Sequence, residues 1–434
     1  MGYILDLKRN GKNLGEYNKI SKNFIALVLL QVTNFVIPIL IIPHLIKTLG
    51  IDKFGIVSLA QTIMIYLFVV VDYGFSLSAV KNISLNKGNI IYLNKLFSEV
   101  MMTKVFLGII SFFMLLVVVC IYPKFIENWK LLLLSYFMVL GQLILPTWFY
   151  QGIDAMKYTT VTNLVSKVIF TIFIFIFIRN PNDDIWVNLL LGCGNCIAGV
   201  ISIVFLSYNY KISVSIKQGI KGVRYQLLNG WYYFLSNFSV IVYMNSNIVI
   251  LGLFANNHVL GLYSIAEKIA MLFRQVLVVF SQATYTHVCL IVESKSFDKM
   301  KLFFKDIFIP FFFIVCLGCG ILFFFCDFIP IYLKMTIGDG KYVISLIRIL
   351  SIVPVIVCLN IPFYQVLLTY NNAKNGSFIL TFGAVISVVI NLILASQFLA
   401  LGTAATIVII ESILTVAIAM VTIKISSKVF INKI

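Results

Sequence analysis

The sequence predicts an all-α polytopic membrane protein with twelve transmembrane helices, built as two six-helix bundles related by a pseudo-twofold axis along the membrane normal. Three observations predict it. Of the 434 residues, 61% are hydrophobic and only 11% are charged, and the mean hydropathy of +1.03 lies far outside the range of soluble globular chains. Apolar runs near twenty residues recur along the chain, the length that crosses about 30 Å of hydrocarbon at about 1.5 Å per residue. Short motifs of the first half also return in the second. A closed β-barrel is excluded, because these runs are continuous and lack strict alternation.

The runs fall at residues 22–43, 55–78, 100–121, 131–150, 160–178, 185–207, 230–254, 263–284, 307–329, 342–368, 377–399 and 402–423. Residues 1–22 form a basic tail suited to an anionic inner leaflet. No apolar core precedes Phe24, so no cleavable signal peptide is expected. The first run carries Gln31, Asn34, Pro38 and Pro43, and a proline inside a span removes a backbone hydrogen bond and kinks the helix. The second opens at Phe54-Gly55-Ile56-Val57-Ser58-Leu59-Ala60 and ends at Asp72-Tyr73-Gly74. Its opening can be laid over Leu260-Gly261-Leu262-Tyr263-Ser264-Ile265-Ala266, and Phe149-Tyr150-Gln151 over Phe363-Tyr364-Gln365. Both correspondences sit close to half the chain apart and in the same order, the signature of an internal repeat. Six spans return the chain to its starting side, so the two copies share one orientation. The expected units are a cytoplasmic tail (1–22), an amino-terminal lobe (23–213) and a carboxy-terminal lobe (214–434), joined by a loop at about 208–229.

Formal net charge is +17, and its distribution assigns it to topology rather than to nucleic acid. Lys8, Arg9, Lys12, Lys19 and Lys22 in the tail, Lys104 at the start of the third run, and Lys211, Lys217, Lys221 and Arg224 between the halves lie on one side. The other side holds only Lys47, Lys53, Lys124, Lys130, Arg179, Lys334 and Lys341. The positive-inside rule then puts both termini in the cytoplasm. The outer loops are short, which leaves no room for a separate extracytoplasmic domain.

Ionisable residues inside the runs are few, and a charge near the bilayer centre costs about 2.5–3.5 kcal/mol on insertion scales. They are Asp72, Lys167, Glu267, Lys268, Arg274, Arg348 and Glu411. Such residues face a bundle interior or an aqueous cavity and mark a transport path by default, although Arg348 and Lys167 could equally snorkel to an interface. Arg274 lies deepest in its run. Cations exceed anions in the second half, which favours an anionic substrate group; phosphate suits the arginine fork, with lysine as a point charge. Glu267, Asp72 and Glu411 are candidates for ion coupling, since burial favours a protonated carboxyl, and simple ion pairing is an equal reading for each. Tyr263, Tyr243 and Tyr364 are candidates for stacking on sugar rings. In the first repeat Gln61, Thr62 and Phe68 stand where the second has Glu267, Lys268 and Arg274, so the expected cavity is asymmetric, with its cationic lining on the carboxy-terminal lobe.

The pairs Cys193/Cys196 and Cys316/Cys319 lie in apolar runs without His or Asp beside them, so they read as small packing residues and no metal is assigned. The sequence has no Walker A run, nucleophile elbow or H-E-x-x-H, and its three histidines are scattered; an enzyme is not expected.

Leu49-Gly50-x3-Phe54-Gly55, Asp72-Tyr73-Gly74-Phe75-x-Leu77-Ser78-Ala79, Trp148-Phe149-Tyr150-Gln151-Gly152, Asn247-x-x-Ile250-Leu251-Gly252 and Gly261-x-Tyr263-Ser264-x-Ala266-Glu267-Lys268-Ile269 together resemble the Wzx-type O-antigen flippases, the polysaccharide-transporter branch of the multidrug/oligosaccharidyl-lipid/polysaccharide exporter superfamily. The resemblance runs over essentially the whole chain. It implies a bacterial inner-membrane flippase that moves undecaprenyl-diphosphate-linked oligosaccharide units from the cytoplasmic to the periplasmic face by alternating access of two lobes. It implies no cofactor, coupling to protons or sodium ions, and contact with membrane lipids and other polysaccharide-assembly proteins. Family-like positions fall on Asp72, Gln151, Glu267 and Lys268, whereas Lys167, Arg274 and Arg348 come from burial and charge alone. A multidrug-type exporter of the same superfamily and a membrane-embedded polymerase or glycosyltransferase are the alternatives.

Overall fold

The computed structural model describes residues 36–153, 155–294, 296–369 and 373–431, and every regular element among them is a helix. The basic tail, with Gln31 and Asn34, lies outside the described residues. Described first is α1, Val36–Leu49, which contains Pro38 and Pro43. Helix α2, Ile51–Asp72, stops where Tyr73 and Gly74 adopt left-handed conformations, and α3, Phe75–Leu85, continues beyond that break. Asn89 caps α4, Ile90–Ile121, by accepting from the Tyr92 amide at 3.0 Å. The fourth run is divided into α5 (Pro123–Glu127), α6 (Trp129–Ser135), α7 (Phe137–Ile144) and, beyond Pro146, α8 (Thr147–Gly152).

Helices α9 (Met156–Phe177) and α10 (Asp184–Tyr210) complete the first half. The second half holds α11 (Ile216–Phe254), α12 (Asn257–Glu293), α13 (Phe297–Phe303), α14 (Ile309–Phe325), α15 (Phe328–Tyr332), α16 (Ile337–Leu350), α17 (Val353–Thr369) and α18 (Ala373–Ile431). Residues Phe304–Phe308 join α13 to α14 as a π-helical turn.

Among the described residues eight helical stretches are long and apolar enough to cross a membrane, or nine when the bent stretch from Asn257 to Glu293 counts as one. The difference from the expected twelve has identifiable sources. Of the first run only 36–43 is described, within the short helix Val36–Leu49, the seventh run is apolar enough only over Met244–Phe254, and the longest stretch, Phe378–Ile425, covers the last two expected runs. That stretch breaks at Leu399, whose φ of 51° and ψ of −129° are not helical, at the expected boundary between them.

Two expectations are corrected. The segment read as a loop from about 208 to 229 is helical from Ile216 onward, so the non-helical link is short. Lys104 is no inner-side surface residue. Helix α4 begins ten residues before the apolar run, which carries Lys104 into the packed interior at 1% exposure. Its ammonium donates to the Gln142 carbonyl at 3.2 Å.

The contact between α2 and α12 expresses the internal repeat. A Cβ on Gly55 would lie 2.6 Å from the Gly261 nitrogen and would also overlap the Asn257 carbonyl oxygen, while a Cβ on Gly261 would overlap the Ile51 carbonyl oxygen. Gly55 and Gly261 are 206 positions apart, as are Ile51 and Asn257. Each glycine therefore meets the repeat equivalent of the residue that the other meets, the reciprocity of a twofold contact. Small residues let membrane helices approach this closely. Gly261→Ala should destabilise the fold by about 1–3 kcal/mol through overpacking against backbone; unchanged thermal stability of the purified protein in detergent would contradict this crossing.

Candidate functional site

A cavity of about 420 Å³ lies between α1, α2, α11 and α12, with Phe170 of α9 and Leu191 of α10 at its edge. Most of its wall is apolar, from residues such as Ile41, Val57, Ile248 and Leu272, as expected for spans rich in Ile, Val and Leu. Its polar groups come from Ser58, Gln61 and Thr62 on α2, Asn245 on α11, and Glu267, Lys268 and Gln275 on α12. A few polar groups in an apolar concavity are the usual composition of a ligand site.

Lys268 crosses from α12 to the first repeat. Its ammonium donates to Gln61 Oε1 at 3.0 Å and lies 5.7 Å from the centre of the Phe54 ring. The Gln61 amide donates in turn to Asn188 Oδ1 at 2.9 Å, and the Asn188 amide donates to Ser135 Oγ at 2.8 Å. A chain of hydrogen bonds thus runs from the cavity wall through α2 and α10 to α6. Gln61 is the repeat equivalent of Glu267, the neighbour of Lys268. Tyr263, fully buried, donates to Glu267 Oε1 at 3.2 Å.

The remaining expected site residues are distributed differently. Arg274 donates to Glu411 Oε1 at 2.8 Å, a pair whose side chains are 16% and 3% exposed, and it borders two small spaces with Met271 and Ile407 inside the second half. Lys167 is half-buried on α9, three residues from Phe170 and so on the same helix face. Arg348 meets Asp327 at 3.2 Å near the ends of α14 and α16. Gln151 is exposed beside the buried Trp148, Phe149 and Tyr150, while Asp72 is buried and accepts from Ser76 at 3.2 Å. Gln365, at the repeat position of Gln151, is buried and donates to the Ser281 carbonyl at 2.8 Å. Tyr364 is half-buried, and the Tyr243 side chain lies outside the described residues. The structure therefore places Glu267 and Lys268 on the cavity wall, with Tyr263 buried behind Glu267, and sets the others apart from it.

Polar contacts join neighbouring helices at the end where α2 and α12 begin. His258 Nε2 is 2.8 Å from Asp339 and its Nδ1 is 3.5 Å from Asp52; Asp52 is the repeat equivalent of His258. The Tyr122 hydroxyl donates to the Leu253 carbonyl at 3.1 Å and the Lys124 ammonium to the Ala255 carbonyl at 2.9 Å. Cations and donors belong at helix carboxy-termini, where carbonyls lack partners. Burial pushes the Lys124 ammonium below its ordinary pKa. At the other end of α2, Tyr73 stacks on Phe234 of α11 at 4.8 Å.

Sequence reasoning did not find Gln61 as the Lys268 partner, Asn188, or the His258 cluster. Gln61 had one signal, its place opposite Glu267 in the repeat. Asn188 had another, a carboxamide inside an apolar run. His258 had none, because its partners lie 206 and 81 positions away.

Apolar helices enclosing a sparsely polar cavity where repeat-related helices cross define a multi-pass membrane protein of the transporter class. The chain belongs to the polysaccharide biosynthesis protein family, whose profile matches residues 20–285. It is 26% identical over 412 residues to an Escherichia coli K12 protein named "Putative O-antigen transporter", covering 92% of this chain and 96% of that one. A Shigella dysenteriae protein of the same name is 26% identical over 333 residues, covering 75% of this chain and 81% of that one. Among solved structures, lipid II flippase MurJ in an inward closed conformation superposes with TM-score 0.67 at 15% identity over 94% of this chain and 89% of that one. An inward-facing multidrug resistance MATE family transporter of the MOP superfamily superposes with TM-score 0.65 at 13% identity, over 91% and 98%. These likenesses show the fold.

Proposed function

We propose that this protein is a flippase that carries undecaprenyl-diphosphate-linked oligosaccharide units of a surface polysaccharide, of the O-antigen kind, from the cytoplasmic to the periplasmic face of a bacterial inner membrane. The observation that carries the proposal is Lys268, a cation held on the wall of a cavity between the two repeats. The family and the relatives named as O-antigen transporters support the substrate class. Lys268 supplies a point charge for the diphosphate, and the Arg274–Glu411 pair, one face behind it, is a reserve of guanidinium contact. Lys167, Arg348 and Gln151 have secondary roles along the route. Glu267 is the first candidate for coupling to protons or sodium ions, with Asp72 and Glu411 behind it. The lobes are residues 23–213 and 214–434, both termini are cytoplasmic, and alternating access is the rocking of one lobe against the other.

Deleting the gene should remove surface polysaccharide and leave lipid-linked units accessible only from the cytoplasmic face. Intact surface polymer together with altered sensitivity to toxic cations would instead identify an exporter of drugs.

A further inference from the structure

A second cavity, of about 530 Å³, lies at the opposite end of α2 from the His258 cluster, where the first turns of α4 meet the leading turns of α11. The two halves line it together. Tyr92, Lys95 and Glu99 come from α4, and Gln218, Tyr225 and Gln226 from α11. By the charge asymmetry of the sequence this end faces the cytoplasm. Its composition is unlike that of the intramembrane cavity, since amides, tyrosines, one carboxylate and the two lysines Lys95 and Lys221 replace the aliphatic wall.

Glu99 is 7% exposed and belongs to the cavity wall. One of its oxygens accepts from Gln226 Nε2 at 2.8 Å, and the other is 3.9 Å from the Lys95 ammonium. A carboxylate has about four lone-pair sites, so this one retains acceptor capacity toward the cavity. Gly222 leaves the room it occupies, because a Cβ there would overlap the Glu99 side chain. Tyr225 is 63% exposed and Tyr92 half-buried, so aromatic surface is available at the rim. Rings with apolar faces, planar amides and a buried acceptor together match a ligand with C–H faces and many hydroxyls. A phosphate would meet cations only at the exposed rim, from Lys95 and Lys221, whereas the charge buried in the wall is the Glu99 carboxylate.

We infer that this cavity is a saccharide subsite, which holds the glycan of the lipid-linked substrate on the side where it is loaded. The inference rests on the flippase reading above. Hydroxyls donate to Glu99, accept from the Lys95 ammonium and exchange hydrogen bonds with the Gln218 amide, while a sugar face rests on Tyr225 or Tyr92. Since both halves contribute, an occupying glycan favours the arrangement in which they are close at this end.

The test uses the full chain in lipid nanodiscs and two probes. One is a short-chain prenyl diphosphate bearing the repeat oligosaccharide isolated from the producing strain, and the other is the same prenyl diphosphate without sugar. Wild type should bind the glycosylated probe more tightly than the bare one. Tyr225→Ala should weaken the glycosylated probe about 3- to 10-fold and leave the bare one unchanged, and Tyr225→Trp, which keeps a stacking face, should restore binding. Unchanged binding of the glycosylated probe by Tyr225→Ala together with Tyr92→Ala would overturn the subsite alone. So would equal loss of both probes, which would make the pocket a reader of the lipid diphosphate. Wild type that binds neither probe would overturn the flippase reading as well.

Discussion

Lys268→Ala is expected to lower translocation of lipid-linked units about 10- to 100-fold, the effect of losing a charge-assisted contact of about 1.5–3 kcal/mol. The ammonium is placed by Gln61 and Phe54 rather than by a carboxylate of its own helix, so it can exchange the neutral amide for a stronger anionic partner. Lys268→Arg should keep part of the activity, because the charge persists while the point-like geometry does not. Gln61→Glu should also reduce transport, by pairing Lys268 across the two repeats and opposing their separation. The measurement is the fraction of lipid-linked units accessible from the periplasm at matched protein level. Wild-type flux in Lys268→Ala would remove this residue from the substrate path.

Arg274→Ala is expected to destabilise the protein by about 3–5 kcal/mol, because it leaves the buried Glu411 carboxylate without its guanidinium. A hydrophobic double replacement, Arg274→Met with Glu411→Leu, should recover much of that loss, since a buried pair exchanged for packed apolar side chains is often neutral. Unfolding in detergent reads the stability, and translocation read alongside it separates two roles. If the double variant is stable and flips lipid-linked units normally, Arg274 is structural. If it is stable and inactive, the guanidinium serves the substrate.

The helices were legible because hydrocarbon requires satisfied backbones over a fixed length, and that requirement is written locally in runs of apolar residues. The repeat was legible for the same local reason, as Gly-x-x-Ser motifs in two places. That Gly55 and Gly261 touch each other was not, since a repeat states equivalence without stating contact. Charges were easier to find than to place. Arg274 and Glu411 were each recognised as costly, but their pairing spans 137 positions and follows only from how α12 and α18 pack. Lys104 was misplaced because hydropathy marks where a helix becomes apolar and α4 starts earlier, with polar residues that pack against α11. The Glu267–Lys268 step survives from sequence to structure as cavity wall, because neighbouring charges on a helix otherwise apolar in its middle had nowhere else to be accommodated.

Helix α11 has 39 residues, which at about 1.5 Å each gives a rod of about 58 Å, far longer than the hydrocarbon it crosses. Its first turns, with Lys217, Lys221 and Arg224, form a stiff arm packed on the start of α4, where Gly219 meets Met102 and Gly222 meets Glu99, and continuous with the part that lines the central cavity. A tilt of a few degrees inside the bilayer is thereby magnified into a sideways sweep of several ångströms at the arm's tip. Because that tip packs on α4 at Ser98 and Met102, such a tilt would be felt in the wall of the second cavity as well as the first.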